Sequence, residues 1–350
     1  MKKASLYKKL PDDSVECTAC AFRCKIAKGR AGICSVRKNI DGDLHLLVWG
    51  NVSDAHIDPI EKKPLYHFLP NSKIFSIGTI GCNFKCSFCQ NWQSTQLIND
   101  MKKRKPTLLD NPDFEISNYG YDLKPQEIVD YCLKNDIQSI AFTYNEPTIF
   151  AEYAKDTMKL AKKQGLYGVF VSNGFETEEA LDFLEGSIDA FNIDLKSFRE
   201  EFYRKVCKAK LAPVLDTIKS IHKRGKWLEI TTLIIPDEND SKQELTQIAE
   251  FIAGISKDIP WHISAFHPDY KMKDKESTPS DTLFKALEIG RKAGLKYIYT
   301  GNIWDQTHSH TICPNCEETV VERPGFGHSI SKLEKGKCPG CKTLVPGIWE

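Results

Sequence analysis

Cys82, Cys86 and Cys89 stand in the run Gly81-Cys82-Asn83-Phe84-Lys85-Cys86-Ser87-Phe88-Cys89-Gln90, with spacers of three and two residues and no fourth cysteine nearby. A structural zinc or an electron-transfer cluster takes four protein ligands, so a set one short leaves a metal position for a substrate or cofactor. Three closely spaced thiolates after a strand-like run therefore point to an open metal centre that does chemistry.

The chain carries two more cysteine sets. Cys313-Pro314-Asn315-Cys316 and Cys338-Pro339-Gly340-Cys341, 21 residues apart, form matching knuckles for a tetrahedral four-sulfur site. Zinc ribbons and rubredoxin-like iron share that pattern; zinc is favoured because nothing nearby argues for redox chemistry. His308 and His310 lie close in sequence, but four cysteines already suffice. Cys17, Cys20, Cys24 and Cys34, with spacers of two, three and nine, fit either a zinc staple or an auxiliary iron–sulfur cluster. Cys132 and Cys207 stand alone and read as small core residues.

Composition excludes several classes. The 350 residues balance to a net charge of +1, which offers no electrostatic footprint for nucleic acid or an anionic membrane. The polar start lacks the apolar core of a signal peptide, and no run of about 18 apolar residues is present to span a bilayer. A soluble, cytoplasmic protein is expected.

Between residues about 74 and 300 short apolar strands alternate with amphipathic helices. Strands are predicted at 73–80, 139–144, 167–172, 190–195, 228–235, 262–266 and 297–300. Helices are predicted at 125–135, 148–164, 177–185, 214–224, 241–253 and 280–293, with Thr177 as an N-cap and Gly165, Gly186 and Gly225 as stops. Repeated parallel strands with right-handed crossovers imply an α/β fold curled into a partial (β/α)6 TIM-type barrel, an open doubly wound sheet being the alternative. Residues 1–50 form a cysteine-rich N-terminal subdomain, 51–305 the barrel, and 306–350 a zinc-ribbon or rubredoxin-like C-terminal subdomain. Residues 101–122, with Lys102-Lys103-Arg104-Lys105, read as a solvated excursion, with a lid or docking loop as the alternative.

In such a barrel the working residues lie at the C-terminal strand ends. The cysteine loop follows the first strand, Asn145 and Glu146 the second, and Ser172 and Asn173 the third. Asp194 and Lys196 end the fourth, Thr231 lies in the fifth, and His267 follows the sixth.

The Cys-x3-Cys-x-aromatic-Cys loop, with Phe88 as the aromatic, resembles the cluster loop of radical SAM proteins. Ser172-Asn173-Gly174, Asp194-Leu195-Lys196, Ile234-Ile235-Pro236 and His267 extend the resemblance to the pyruvate formate-lyase activating enzyme group. Residues 58–68 (Asp58 to Phe68), Cys89-Gln90-Asn91-Trp92, 143–148 (Thr143 to Thr148) and 267–271 (His267 to Lys271) are similar to the radical SAM member of the AmmeMemoRadiSam system. The resemblance implies a [4Fe–4S] cluster on Cys82, Cys86 and Cys89. It implies S-adenosyl-L-methionine held by Phe88, Asn145, Glu146, Ser172, Asn173, Asp194, Lys196 and Thr231, and a catalytic His267 near the substrate. The activity implied is reductive cleavage of S-adenosylmethionine to a 5′-deoxyadenosyl radical that takes hydrogen from an unidentified substrate, a protein among the candidates. The implied partners are reduced ferredoxin or flavodoxin and proteins of the Memo and AMMECR families. Val171 stands where the activases carry an aspartate for a monovalent cation, and Tyr144-Asn145 where they carry two glycines. A glycyl radical enzyme activase and a non-enzymatic metal-binding adaptor are the alternative functions.

Overall fold

The computed structural model describes residues 1–105, 107–110, 114–305, 307–325 and 328–350. It divides into two compact units, Met1–Ile57 with Ile74–Asp189, and Asp58–Lys73 with Ala190–Glu350.

The first unit is built on three parallel strands, β1 (Lys73–Gly78), β2 (Ser139–Phe142) and β3 (Tyr167–Ser172). Ser139 pairs with both Ile74 and Tyr167, so the three strands run in register. Buried Ile74, Ile77, Ile140, Phe142, Val169 and Phe170 explain the nearly unbroken apolar runs, because a parallel strand is covered on both faces. Helix α1 (Pro125–Lys134) follows with proline at its first turn, α2 (Ala151–Ala161) follows β2, and α3 (Glu178–Phe183) follows β3. The expected cap is present: Thr177 Oγ1 accepts from the Ala180 N–H.

Two small antiparallel sheets, one from residues 7–9, 15–17 and 25–26 and one from 2–3, 37–40 and 43–46, carry the N-terminal cysteines in the same unit. An ion pair inaccessible to water ties them to α2. Arg37 donates to both carboxylate oxygens of Glu152 and through Nε to Ile149 O at 2.8 Å, while Glu152 also accepts the Ser5 N–H at 2.9 Å. Burial by itself would raise the Glu152 carboxyl, but Arg37 and the Ser5 N–H outweigh it and hold the group below its ordinary 4.5.

The 101–122 stretch is more ordered than a solvated excursion. Leu97–Arg104 is helical, Leu108, Leu109 and Ile116 are buried, and Tyr121–Asp122 pairs with Asn51–Val52. Apolar residues spaced too irregularly for a periodic signal anchor it. Positions 106 and 111–113 lie outside the described residues.

The second unit contains four parallel strands, β4 (Ala190–Asp194), β5 (Trp227–Ile234), β6 (Trp261–Ala265) and β7 (Ile298–Gly301). Ala190 pairs with Trp227, Ile230 with Trp261, and Trp261 with Ile298. Helices α4 (Ala212–Lys223), α5 (Lys242–Ile255) and α6 (Ser280–Lys292) alternate with them. Glu229, buried in β5, accepts hydrogen bonds from Tyr66 N (2.9 Å), His67 N (2.8 Å) and Trp227 Nε1 (3.0 Å), and lies 2.6 Å from His262 Nε2. His67 in turn reaches Pro346 O (2.7 Å) and Tyr299 Oη (2.5 Å), and so connects the sheet to the C-terminal segment. That segment is a three-stranded antiparallel sheet of residues 311–312, 319–325 and 328–331 followed by the second cysteine knuckle. No described helix is long and apolar enough to cross a membrane.

The Arg37–Glu152 pair gives a stability prediction. Glu152→Ala strands a buried guanidinium and is expected to cost about 3–5 kcal/mol, whereas the Arg37→Met/Glu152→Leu double change costs far less. Urea unfolding followed by circular dichroism checks both, and equal losses would refute the pairing. Because the folded carboxyl titrates below its unfolded value, its stabilisation is full above about pH 4.5 and lost as pH falls through the lowered folded value.

Candidate functional site

Loop 82–89 leaves β1 through Gly81, whose φ of +91° suits glycine; a Cβ there would meet the Cys34 carbonyl oxygen at 2.7 Å. Cys82, Cys86 and Phe88 are buried and Cys89 is half-buried. The loop is pinned from several sides: Gln96 Nε2 donates to Phe84 O (3.0 Å), Gly81 N to Ser94 O (3.2 Å) and Asn91 Nδ2 to Tyr144 O (2.8 Å). The Phe84 N–H and the Asn173 side-chain amide, 3.8 Å from Sγ, both address Cys82.

At the end of β2, Tyr144 has φ +67°, the left-handed region in a residue with a Cβ, which places backbone strain at the strand end beside the cysteine loop. Asn145 turns its amide inward: Nδ2 donates to Gly81 O (2.8 Å) and Thr79 Oγ1 (3.0 Å), and Oδ1 accepts from Thr79 N (3.2 Å). It therefore ties the strand end to the start of the cysteine loop.

Glu146 is fully buried and caps the turn at Pro147–Phe150, accepting from Thr148 N at 3.0 Å and from Asn173 N at 2.8 Å. Ser172 Oγ lies 3.0 and 3.2 Å from its two oxygens. The same hydroxyl is 2.6 Å from Oε1 of Glu176, which also accepts from Thr148 Oγ1 at 3.0 Å. One serine hydrogen cannot serve two carboxylates, so one carboxyl carries a proton. Burial, then the Glu146 charge, pushes Glu176 up to about 8; burial also raises Glu146, against the Asn173 and Thr148 N–H groups. Two backbone donors favour the ion at Glu146, so the pair holds its proton on Glu176 at neutral pH. Sequence reading missed Glu176. Its one available signal was its place four residues after Ser172, beyond a tight Asn173-Gly174 turn.

The donor set fits an iron–sulfur cluster. Three thiols share one buried loop, N–H groups face the Cys82 sulfur, and burial followed by Glu146 holds the Cys82 thiol well above its ordinary value. A cationic metal beside the sulfur would offset both the burial and the Glu146 charge.

In the second unit, Lys196 Nζ and Asp194 Oδ2 pair at 2.6 Å, and Thr231 Oγ1 donates to Asn192 Oδ1 at 2.9 Å. His267 is exposed and its Nδ1 stands 3.5 Å from Ser277 Oγ. The structure therefore gathers Cys82, Cys86, Cys89, Phe88, Asn145, Glu146, Ser172 and Asn173 in the first unit; Asp194, Lys196, Thr231 and His267 belong to the second.

The C-terminal thiols of Cys313, Cys316, Cys338 and Cys341 lie within 4.8 Å of one another and could hold a metal ion. Tetrahedral zinc with Zn–S near 2.3 Å requires thiols about 3.8 Å apart. Hydrogen bonds from Asn315 and Thr343 pull Cys341 down to about 5. His308 pairs with Asp305 and His310 accepts from Arg323 N, so neither is needed by the metal. Cys132 is buried and pushed up to about 12 by that burial, as expected of a core thiol.

Residues 76–252 match the model of the radical SAM superfamily. An uncharacterized protein of Methanocaldococcus jannaschii is 39% identical over 99% of this chain and 99% of its own length. Another protein of that organism, named provisionally as a glycyl-radical enzyme activating enzyme, is 28% identical over 61% of this chain and 75% of its own. The pyruvate formate-lyase-activating enzyme of Clostridium pasteurianum is 22% identical over 56% of this chain and 81% of its own. With the three-cysteine loop inside the matched region, and a relative of this identity spanning both chains, the protein belongs to the radical SAM superfamily.

Proposed function

We propose that the protein is a radical SAM enzyme of the AmmeMemoRadiSam type, working in a partial (β/α)6 barrel with Cys82, Cys86 and Cys89 as cluster ligands. The observation that carries this reading is the burial of Glu146, oriented by Thr148 and Asn173 N–H groups, next to Cys82. When bound, cluster and S-adenosylmethionine supply a 5′-deoxyadenosyl radical. Glu146 accepts the cofactor's ammonium in a charge-assisted contact, and Glu176 keeps the pair's proton so that Glu146 stays charged. Asn173 offers its amide to the cofactor carboxylate or ribose, and the buried Phe88 is proposed as the loop's cofactor-binding aromatic. Asn145 is a positioning residue for the loop. Asp194, Lys196 and Thr231 are proposed for the ribose and carboxylate, and His267 for the substrate side.

Reduced ferredoxin or flavodoxin is proposed as donor, with Memo-family and AMMECR-family proteins as functional associates in a cytoplasmic setting. The relatives named as activating enzymes favour a polypeptide as the hydrogen donor. The C-terminal knuckles are read as a zinc site that folds residues 306–350, of which positions 306, 326 and 327 lie outside the described residues.

Reduced, reconstituted protein is expected to release 5′-deoxyadenosine from S-adenosylmethionine, and Cys86→Ala is not; equal yields from the two would sink the reading. Glu146→Gln is expected to weaken S-adenosylmethionine binding about 10–100-fold, the loss of one charge-assisted hydrogen bond. Calorimetric titration of the cluster-loaded protein measures it, and unchanged affinity removes Glu146 from the cofactor site. Cys313→Ser/Cys338→Ser is expected to contain about one zinc fewer per chain and to lose residues beyond about 310 to limited proteolysis. Equal zinc content in variant and wild type would refute the site.

A further inference from the structure

The four N-terminal cysteines have no part in the chemistry above. Cys17, Cys20 and Cys34 are buried, Cys24 is half-buried, none is in a disulfide, and all four lie within electrostatic range of one another. The N–H groups of Ala19, Phe22 and Val36 address the sulfurs of Cys17, Cys20 and Cys34, as the Phe84 N–H addresses Cys82. Such N–H groups bond a metal-bound thiolate more strongly than a neutral thiol, whose sulfur is only a weak acceptor.

The grouping differs from that of the C-terminal knuckles. Among the described residues, the set that closes tightly enough for one ion is Cys313, Cys316, Cys338 and Cys341. Neither the N-terminal four nor the three of loop 82–89 close to within the 4.8 Å of that set. A cubane takes thiols farther apart than a single ion does, because each cysteine binds a different iron.

Position adds a use. The Cys34 carbonyl abuts Gly81, the residue before Cys82. The Phe22 ring, inside the Cys20–Cys24 knuckle, lies 4.8 Å from Phe175 and 6.5 Å from Phe84, and Phe84 sits inside the Cys82–Cys86 spacer 5.1 Å from Phe175. Ala21 N donates to Phe175 O at 2.9 Å. All these contacts lie within one unit. Residues 1–50 also hold ten Lys and Arg against five Asp and Glu in a chain whose net charge is +1; around Cys24, Arg23 is paired with Glu179 and Glu16 and Lys28 with Asp41 and Asp13, while Lys25 and Arg30 are also exposed.

We propose that Cys17, Cys20, Cys24 and Cys34 hold a second [4Fe–4S] cluster, which relays an electron from an acidic one-electron carrier protein to the cluster at Cys82, Cys86 and Cys89. This rests on the radical SAM reading of that loop. For each electron delivered, the carrier is oxidised by one, the second cluster is reduced by one and reoxidised as the first is reduced, and no proton moves. The excess of basic over acidic residues in positions 1–50 favours an acidic carrier.

The test uses full-length protein purified anaerobically, with metal counting and electron paramagnetic resonance after dithionite reduction. Wild type is expected to hold about eight irons per chain, and Cys82→Ser/Cys86→Ser/Cys89→Ser about four, which disappear when Cys20→Ser and Cys34→Ser are added. The fully reduced wild type is expected to show spectra broadened by coupling between neighbouring clusters, and the triple variant a simple signal. Stopped-flow reduction by a flavodoxin should be slowed in Cys20→Ser/Cys34→Ser while reduction by dithionite is not. A triple variant with zinc and no iron overturns the second cluster and leaves the radical SAM reading intact. Four irons in wild type that persist in the triple variant support the N-terminal cluster and remove the reading of loop 82–89. Wild-type iron content and spectra decide the matter even where the multiple variants fail to fold.

Discussion

A carboxylate taken wholly out of water must find donors or keep a proton, and the fully buried Glu146 organises the first unit around that requirement. Its donors are the N–H groups of Thr148 and Asn173, one from the turn after β2 and one from the turn after β3. Satisfying a single group therefore aligns two strand ends beside Cys82. The neighbouring Glu176 resolves the remaining charge by holding a proton, pushed up to about 8 by burial and by Glu146 itself. The same physics recurs twice. Glu152 draws in Arg37 and fastens the N-terminal sheets to α2, and Glu229 collects Tyr66, His67, Trp227 and His262 in the second unit.

The cysteines obey a related rule. A buried thiolate is costly without a positive neighbour, so each set is prepared with N–H groups aimed at sulfur. What differs is width. The C-terminal knuckles close to within 4.8 Å, a mononuclear geometry, while the other two sets are drawn wider. Similar Cys-x2-Cys and Cys-x3-Cys spacings are thus held at different separations by the surrounding turns.

Much of the α/β framework was legible beforehand. Strand 167–172 was read at its true limits and the other six to within two residues, because parallel strands buried on both faces produce short apolar runs bounded by turns. Helix starts that depend on local capping, at Thr177 and Pro125, were equally readable. Segment 101–122 was not, since its order comes from Leu108, Leu109 and Ile116 finding distant apolar partners and from Tyr121 pairing with Val52. Of the site, the cysteine loop, Glu146, Ser172 and Asn173 were visible as unusual polar residues at strand ends. Glu176 was hidden, because nothing local distinguishes a buried carboxyl from one on a surface, and the bonds of the Asn145 amide to Gly81 and Thr79 were hidden because both partners come from another strand end.

The sequence by itself determined the ligand chemistry: which thiols exist, how many each loop can offer, and which strands and helices alternate around them. These are properties of residue type and short spacing, and spacing survives without knowledge of the fold. Only the tertiary structure decided which carboxyl of Glu146 and Glu176 carries the proton, that Asn145 holds the loop, and that Cys34 lies against Gly81. Each of these depends on burial and on approach between segments tens of residues apart, and both are set by packing of the whole unit.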